Sequence, residues 1–231
     1  MVLLCGCNKD KKELVMVTEA GFAPYEFYEN NKIVGVDVEI AKEVAKEMGL
    51  ELVVKDVAFD SIINEIQKDK ADFAAAGLSI TEERKKEVDF SIEYATSKQV
   101  VIVKNTSIFT LPEQIYNGRV GVQLGTVADL YLSEKMNDSN IVRQKKYLSL
   151  VEDLKANKVD AIVMDSLPAN EIAKQNTELK LLDTSLFVDK YGMAVKKGNK
   201  KLLKTINNVL ERLIDEGTID HWTIEYVKWC F

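Results

Sequence analysis

Histidine and cysteine are scarce. One histidine, His221, and three cysteines, Cys5, Cys7 and Cys230, stand in 231 residues. A zinc site built from imidazole and thiolate has almost no ligands to draw on. Cys5 and Cys7 are too close in sequence for an ordinary structural staple, and Cys230 is penultimate, so no disulfide framework organises the chain. Positive charge is also short: 31 Lys and Arg against 37 Asp and Glu give a net charge of −6. That balance argues against a nucleic-acid binder, which carries a basic patch. Long apolar runs are missing. Met1–Cys7, MVLLCGC, is too short to span a bilayer, and no other segment is a candidate. No Gly-x-Ser-x-Gly elbow, Gly-rich phosphate loop or dinucleotide fingerprint occurs.

What is present is a repeated alternation of short apolar runs and amphipathic segments. A chain of this length makes one large domain or two lobes of roughly 100 residues each. Leu14–Thr18 is a continuous apolar run with the pattern of a strand buried on both faces. Asp37 reads as an N-cap, with Val38, Ala41, Val44, Ala45 and Met48 at helical spacing and Gly49 as the stop. Strands are expected over Glu51–Val57 and Ala71–Ala76, with a helix over Asp60–Lys68 between them. This β-α-β-α-β order implies a parallel sheet with right-handed crossovers.

The order then recurs. Extended runs are expected over Val88–Ile92 and Gln99–Lys104, with strands over Arg119–Gln123, Ile141–Tyr147, Val159–Met164, Leu179–Leu182 and Tyr191–Lys196. Thr126–Asp129 and Ser149–Glu152 fit capping boxes that open helices. Lys200–Glu216 and Ile219–Trp229 complete the chain as helices. The expected class is therefore α/β in two lobes, with any ligand crevice at the carboxyl ends of the strands.

The stretch Ala75–Ser91, AAGLSITEERKKEVDFS, is the most informative. A strand end passes through small residues into a turn opened by Thr81, with Arg84 just inside it. Free backbone N–H groups and a rigid, always-charged guanidinium fork suit a carboxylate. A solvated charged turn fits the same residues. Other polar and aromatic residues also fall at predicted strand ends: Glu19, Phe22, Phe59, Gln123, Thr126 and Asp165. Together they match an L-α-amino acid. Arg84, Ser79 and the helix start at Thr126 suit its carboxylate, Asp165 and the Gly77 carbonyl suit its ammonium, and Phe22 and Phe59 suit its side-chain stem. Singly, Phe22 and Phe59 fit core positions equally well, and Asp165 fits a helix cap. Carboxylate acid/base chemistry stays open through Glu19, Asp165 and Glu171.

The motifs TEAGFAPYEF (18–27), GVDVEIAKEVAKEMG (35–49), AFDSIINEI (58–66), AAGLSITEERKKEVDFS (75–91), GVQLGT (121–126), VDAIVMD (159–165) and GTIDHWTIEYVKW (217–229) resemble bacterial ABC-importer solute-binding proteins of family 3. The resemblance implies a type II periplasmic-binding-protein fold: an α/β molecule of two lobes that close on a ligand about a two-strand hinge. It implies lobe 1 from 13–94 plus 193–231, lobe 2 from 99–188, and hinge strands at 95–98 and 189–192. It also implies ligand contacts from Glu19, Phe22, Phe59, Ala76, Gly77, Ser79, Arg84, Gln123, Thr126, Val127 and Asp165. Val127 departs from the Thr or Gly common at its position, which weakens a hydroxyl contact there.

Glu19 with Gln123 resembles arginine-preferring members, so a basic amino acid is expected, with lysine, histidine and glutamine behind arginine. Glutamine or cystine specificity, a cyclohexadienyl dehydratase on the same fold, and the sensor domain of a receptor are the alternatives. Leu4-Cys5-Gly6-Cys7 resembles a lipobox whose last cysteine, Cys7, carries lipid, with residues up to Lys12 as a tether. The expected protein is thus a monomer without a cofactor. It is anchored at the outer face of the cytoplasmic membrane or in the periplasm, and its partner is an ABC permease.

Overall fold

The structure, a computed structural model, describes residues 12–229. The lipobox Leu4–Cys7 with its expected lipid site Cys7, almost all of the tether, and Cys230 lie outside the described residues. Among the described residues, no helix is long and apolar enough to cross a membrane, and no group of His, Cys, Asp and Glu could hold a metal ion.

The chain opens with β1 (Glu13–Thr18), the hairpin β2 (Phe27–Glu29) and β3 (Lys32–Val34), and α1 (Val36–Met48). It continues through β4 (Glu51–Asp56), α2 (Ile62–Gln67), β5 (Phe73–Ala74), α3 (Glu82–Glu87), β6 (Val88–Phe90) and β7 (Ala95–Lys104). A second series follows: β8 (Val120–Gln123), α4 (Val127–Lys135), β9 (Ile141–Gln144), α5 (Tyr147–Lys155), β10 (Ala161–Asp165), α6 (Ser166–Gln175) and β11 (Leu179–Leu181). The chain then returns through β12 (Phe187–Tyr191) and β13 (Ala194–Lys196) to α7 (Lys200–Asp215) and α8 (Thr218–Trp229).

Two sheets result. The first has the order β4-β1-β5-β13-β6, and the second β11-β7-β10-β8-β9 with β12 also paired to β7. The expected parallel core is there: β1 runs parallel to β4 and β5, and β8 parallel to β9 and β10. Each sheet also carries antiparallel strands, β13 and β6 in the first and β7 in the second. The two-lobed α/β class expected from sequence is the observed one. β7 and β12 pair antiparallel from Ala95↔Tyr191 to Gln99↔Phe187, forming a ribbon between the two sheets.

The apolar spacing of α1 does what it predicts, burying Val38, Ile40, Ala41, Val44 and Ala45 against the first sheet and α7. The helix start differs from expectation. Gly35 is the N-cap, at φ 127°, and a Cβ there would lie 2.2 Å from the Tyr25 carbonyl oxygen, so only glycine fits. Asp37 lies inside the first turn and caps nothing. Its carboxylate instead accepts the Gly77 N–H at 2.9 Å and the Tyr94 hydroxyl at 2.7 Å.

Three further expectations shift. The strand Ala71–Ala76 contracts to Phe73–Ala74, because Ala75 and Ala76 already turn toward the site. The run Tyr191–Lys196 is two strands broken at Gly192 and Met193, where the chain passes from one sheet to the other. The helix expected from Ser149 starts at Tyr147, with no side-chain cap, so Ser149 lies inside it.

Candidate functional site

The loops at the carboxyl ends of β1, β5, β8 and β10 converge on one cavity between the sheets. Ten of the eleven residues singled out from sequence line it: Glu19, Phe22, Phe59, Ala76, Gly77, Ser79, Gln123, Thr126, Val127 and Asp165. The eleventh, Arg84, sits behind Ser79. Thr81 caps α3 by accepting the Arg84 N–H at 3.1 Å, which fixes the Arg84 backbone. The guanidinium then donates to the Ser79 carbonyl at 2.7 Å and, across the cleft, to the Gly125 carbonyl at 3.0 Å. It lies 5.5 Å above the Phe59 ring. Burial lowers its pKa to about 10, against the pull of Asp189 and Asp165, so it stays charged at neutral pH.

Small residues let the wall come close. At Gly77 φ is +49°, and a Cβ would lie 2.7 Å from Cε1 of Phe22. The absent side chain is what allows the Phe22 ring against the turn. Phe22 also stacks with Tyr147 of α5, centroids 6.0 Å apart, so an aromatic pair joins the two halves of the cavity. On the opposite wall Thr126 caps α4. Its hydroxyl donates to the Gln123 carbonyl at 2.8 Å and accepts the Asp129 N–H at 3.3 Å. Position 127 therefore offers a helix first-turn backbone N–H rather than a side-chain donor, and valine is compatible with that role.

Acid dominates the electrostatics. Glu19, Glu26 and Asp165 line the cavity and Asp37 lies just behind it, none more than 6% exposed. Asp189 adds a fifth carboxyl, accepting from the Ser79 hydroxyl. Burial raises Asp37 and Asp165 to about 6; the Asp189 charge adds to the rise at Asp165, while the Tyr191 hydroxyl bond opposes it. Burial, reinforced by the charges of Asp37 and Glu19, holds Glu26 well above the usual carboxylate range.

Two cations face these acids: Arg84 from the first half, and Lys146 at the start of α5. Lys146 forms an ion pair with Glu19 and lies 3.6 Å from Asp56. Burial alone would lower the lysine pKa, but the bond to Glu19 and the charges of Glu19 and Asp56 raise it. Gln123 donates its amide to Glu19 at 3.1 Å and to the Lys145 carbonyl at 2.9 Å.

The profile of bacterial extracellular solute-binding proteins, family 3, matches residues 14–229. The chain belongs to that family. Among its relatives, the arginine-binding extracellular protein ArtP of Bacillus subtilis is 30% identical over 93% of this chain and 86% of the relative. The amino-acid ABC transporter substrate-binding protein AbpA of Streptococcus pneumoniae, solved with L-arginine, superposes with a TM-score of 0.90 at 31% identity, covering 95% of this chain and 96% of that one. An ancestral arginine-binding protein solved with glutamine gives 0.87 at 35% identity, covering 94% and 98%. For this solute-binding protein, the cavity between the sheets is the candidate ligand site.

Several of its residues were not legible in sequence. Glu26, Asp37, Lys146, Tyr147 and Asp189 all shape the cavity or its charge. The sequence signal for Glu26 was its place inside TEAGFAPYEF, four residues after Phe22, with which its backbone forms a tight bridge. Lys146 and Tyr147 carry no such signal, because their role depends on how α5 faces the other half.

Proposed function

We propose that this chain is the extracytoplasmic binding component of an amino-acid ABC importer, and that its ligand is an L-amino acid with a cationic side chain, arginine first. The observation that carries the reading is the imbalance of charge around the cavity: Glu19, Asp37, Asp165 and Asp189, with the Glu26 carboxyl held toward its neutral form by burial, face Arg84 and Lys146. A zwitterionic ligand leaves that imbalance as it is, whereas one with a second positive charge reduces it. In this reading Arg84, Ser79 and the backbone N–H groups at Thr126 and Val127 hold the α-carboxylate. Asp165 and the Gly77 carbonyl hold the ammonium. Phe22 and Phe59 wall the side-chain stem, Ala76 leaves room beside it, and Glu19 with Gln123 reads its end.

The paired strands β7 and β12 are the hinge, with residues 13–94 and 193–231 moving against 99–188. The protein works as a monomer that hands its ligand to the permease and transforms nothing. Cys7 carries the lipid, which places the protein at the outer face of the cytoplasmic membrane. A Cys7→Ser protein that still partitions with membranes would exclude that attachment.

Glutamine is the second reading, because Lys146 already neutralises Glu19. Isothermal titration with arginine, lysine, histidine, glutamine and cystine separates the two. Arginine is expected to bind tightest. Tightest binding to glutamine, with no heat from arginine, overturns the first reading in favour of the second.

A further inference from the structure

Lys146 does not suit the helix it opens. It is the N-cap of α5, yet its side chain accepts no backbone N–H, and a cation at a helix N-terminus opposes the helix dipole. Its side chain crosses the cleft instead. It reaches two carboxylates of the other half: Glu19, which follows β1 and lines the cavity, and Asp56, the last residue of β4, at 3.6 Å. The two acids differ in place. Glu19 is buried in the cavity wall, with Oε2 taking the Gln123 amide at 3.1 Å and Oε1 paired with Lys146. Asp56 stands outside the cavity lining and is fixed from its own half, accepting the Ala20 N–H at 2.9 Å and the Tyr28 hydroxyl at 3.3 Å. The Lys146 side chain is 42% exposed, and its flexible stem can carry the ammonium from one acid to the other. Both oxygens of Glu19 are therefore engaged before a ligand side chain reaches them. A cationic side chain that seeks Glu19 must share it with the lysine or displace the lysine, whereas a neutral one need not.

We propose that Lys146 is a specificity-determining residue: an internal cation that competes with the ligand's side chain for Glu19 and is displaced onto Asp56 by a guanidinium or ammonium. The proposal rests on the reading above, in which Glu19 takes the end of a cationic side chain. Lys146 then lowers the affinity for a cationic ligand and spares a neutral one of the same shape, because only the former brings a like charge to the same carboxylate. Asp56 limits that loss by receiving the displaced ammonium. The two residues together set the margin between cationic and neutral ligands. Citrulline has the shape of arginine but a neutral urea group, so comparing the two isolates the charge.

The test is titration of the wild type, Lys146→Met and Asp56→Asn with arginine and with citrulline. Lys146→Met keeps an unbranched stem and removes the charge. It is expected to raise the ratio of arginine to citrulline affinity by about tenfold. Asp56→Asn removes the second anchor, confines the lysine to Glu19 and is expected to lower that ratio severalfold. An unchanged or lower ratio in Lys146→Met overturns the proposal. If that variant does not fold, an unchanged or higher ratio in Asp56→Asn overturns it. Lys146→Arg keeps the charge and is expected to keep the wild-type ratio. A rise there as large as that of Lys146→Met assigns the effect to packing and overturns the proposal. A wild type that binds citrulline or glutamine but no arginine removes the cationic reading. Lys146 is then judged alone: arginine binding that appears in Lys146→Met supports the competition, and its continued absence overturns it.

Discussion

Nη2 of Arg84 donates to the Gly125 carbonyl at 3.0 Å, so a side chain fixed before α3 reaches the turn before α4. The same guanidinium holds the Ser79 carbonyl at 2.7 Å. One residue thus touches both walls of the cavity, at the place where a ligand carboxylate is proposed to sit.

Arg84→Ala is expected to abolish measurable amino-acid binding while the far-ultraviolet circular dichroism spectrum stays native. Loss of a buried, hydrogen-bonded charge partner in a binding site costs roughly 2–5 kcal/mol. The fold itself loses a cation that burial already disfavours, as the fall of its pKa to about 10 records. Calorimetry on the purified variant decides: micromolar binding that survives would mean the carboxylate is held elsewhere.

Glu19→Gln is expected to weaken a cationic ligand far more than a neutral one, again by roughly 2–5 kcal/mol for the charged ligand. Glutamine at this position leaves Lys146 with Asp56 as its remaining acidic partner and so makes the end of the cavity more positive by one charge. Equal losses for arginine and glutamine would take Glu19 out of side-chain recognition.

The ligand-free protein is expected to resist urea better at pH 5 than at pH 7.5. Asp37 and Asp165 have folded pKa values raised from 3.8 to about 6, because burial penalises their charged forms. The folded state therefore holds protons that the unfolded chain gives up. Their stabilisation is complete below about pH 3.8 and is lost as pH rises through about 6. The difference is on the order of 2 kcal/mol. Acids with lowered pKa values nearer the solvent, such as exposed Glu82 and half-buried Asp89, act in the opposite sense but are screened by solvent. Urea midpoints at the two pH values check this, and a higher midpoint at pH 7.5 would contradict it.

The sequence made local features legible and long-range ones opaque. The spacing of Val38, Ala41, Val44 and Ala45 predicted α1, because one helix face is buried as a unit. The site residues at strand ends were legible for a related reason: α/β topology sends those ends to one crevice. Asp37 was misread because a short polar residue at a helix start resembles a cap, while its actual partner, Gly77, lies 40 residues on. Glu26 was hidden because a loop glutamate reads as solvated until tertiary packing buries it. The break at Gly192 was hidden because an apolar run does not record that its two halves belong to different sheets.

The position of β13 has a consequence for how the molecule is built. It lies between β5 and β6, although about 100 residues separate it from them in sequence. The sheet of β1, β4 and β5 therefore keeps a gap until residues 194–196 have been made and delivered. Every strand of the second sheet lies between Ala95 and Tyr191, in one continuous length of chain. The half carrying Gln123 and Asp165 can thus assemble as soon as that length is available. The half carrying Arg84 is finished last, so a chain cut short before β13 would present one wall of the cavity without the other.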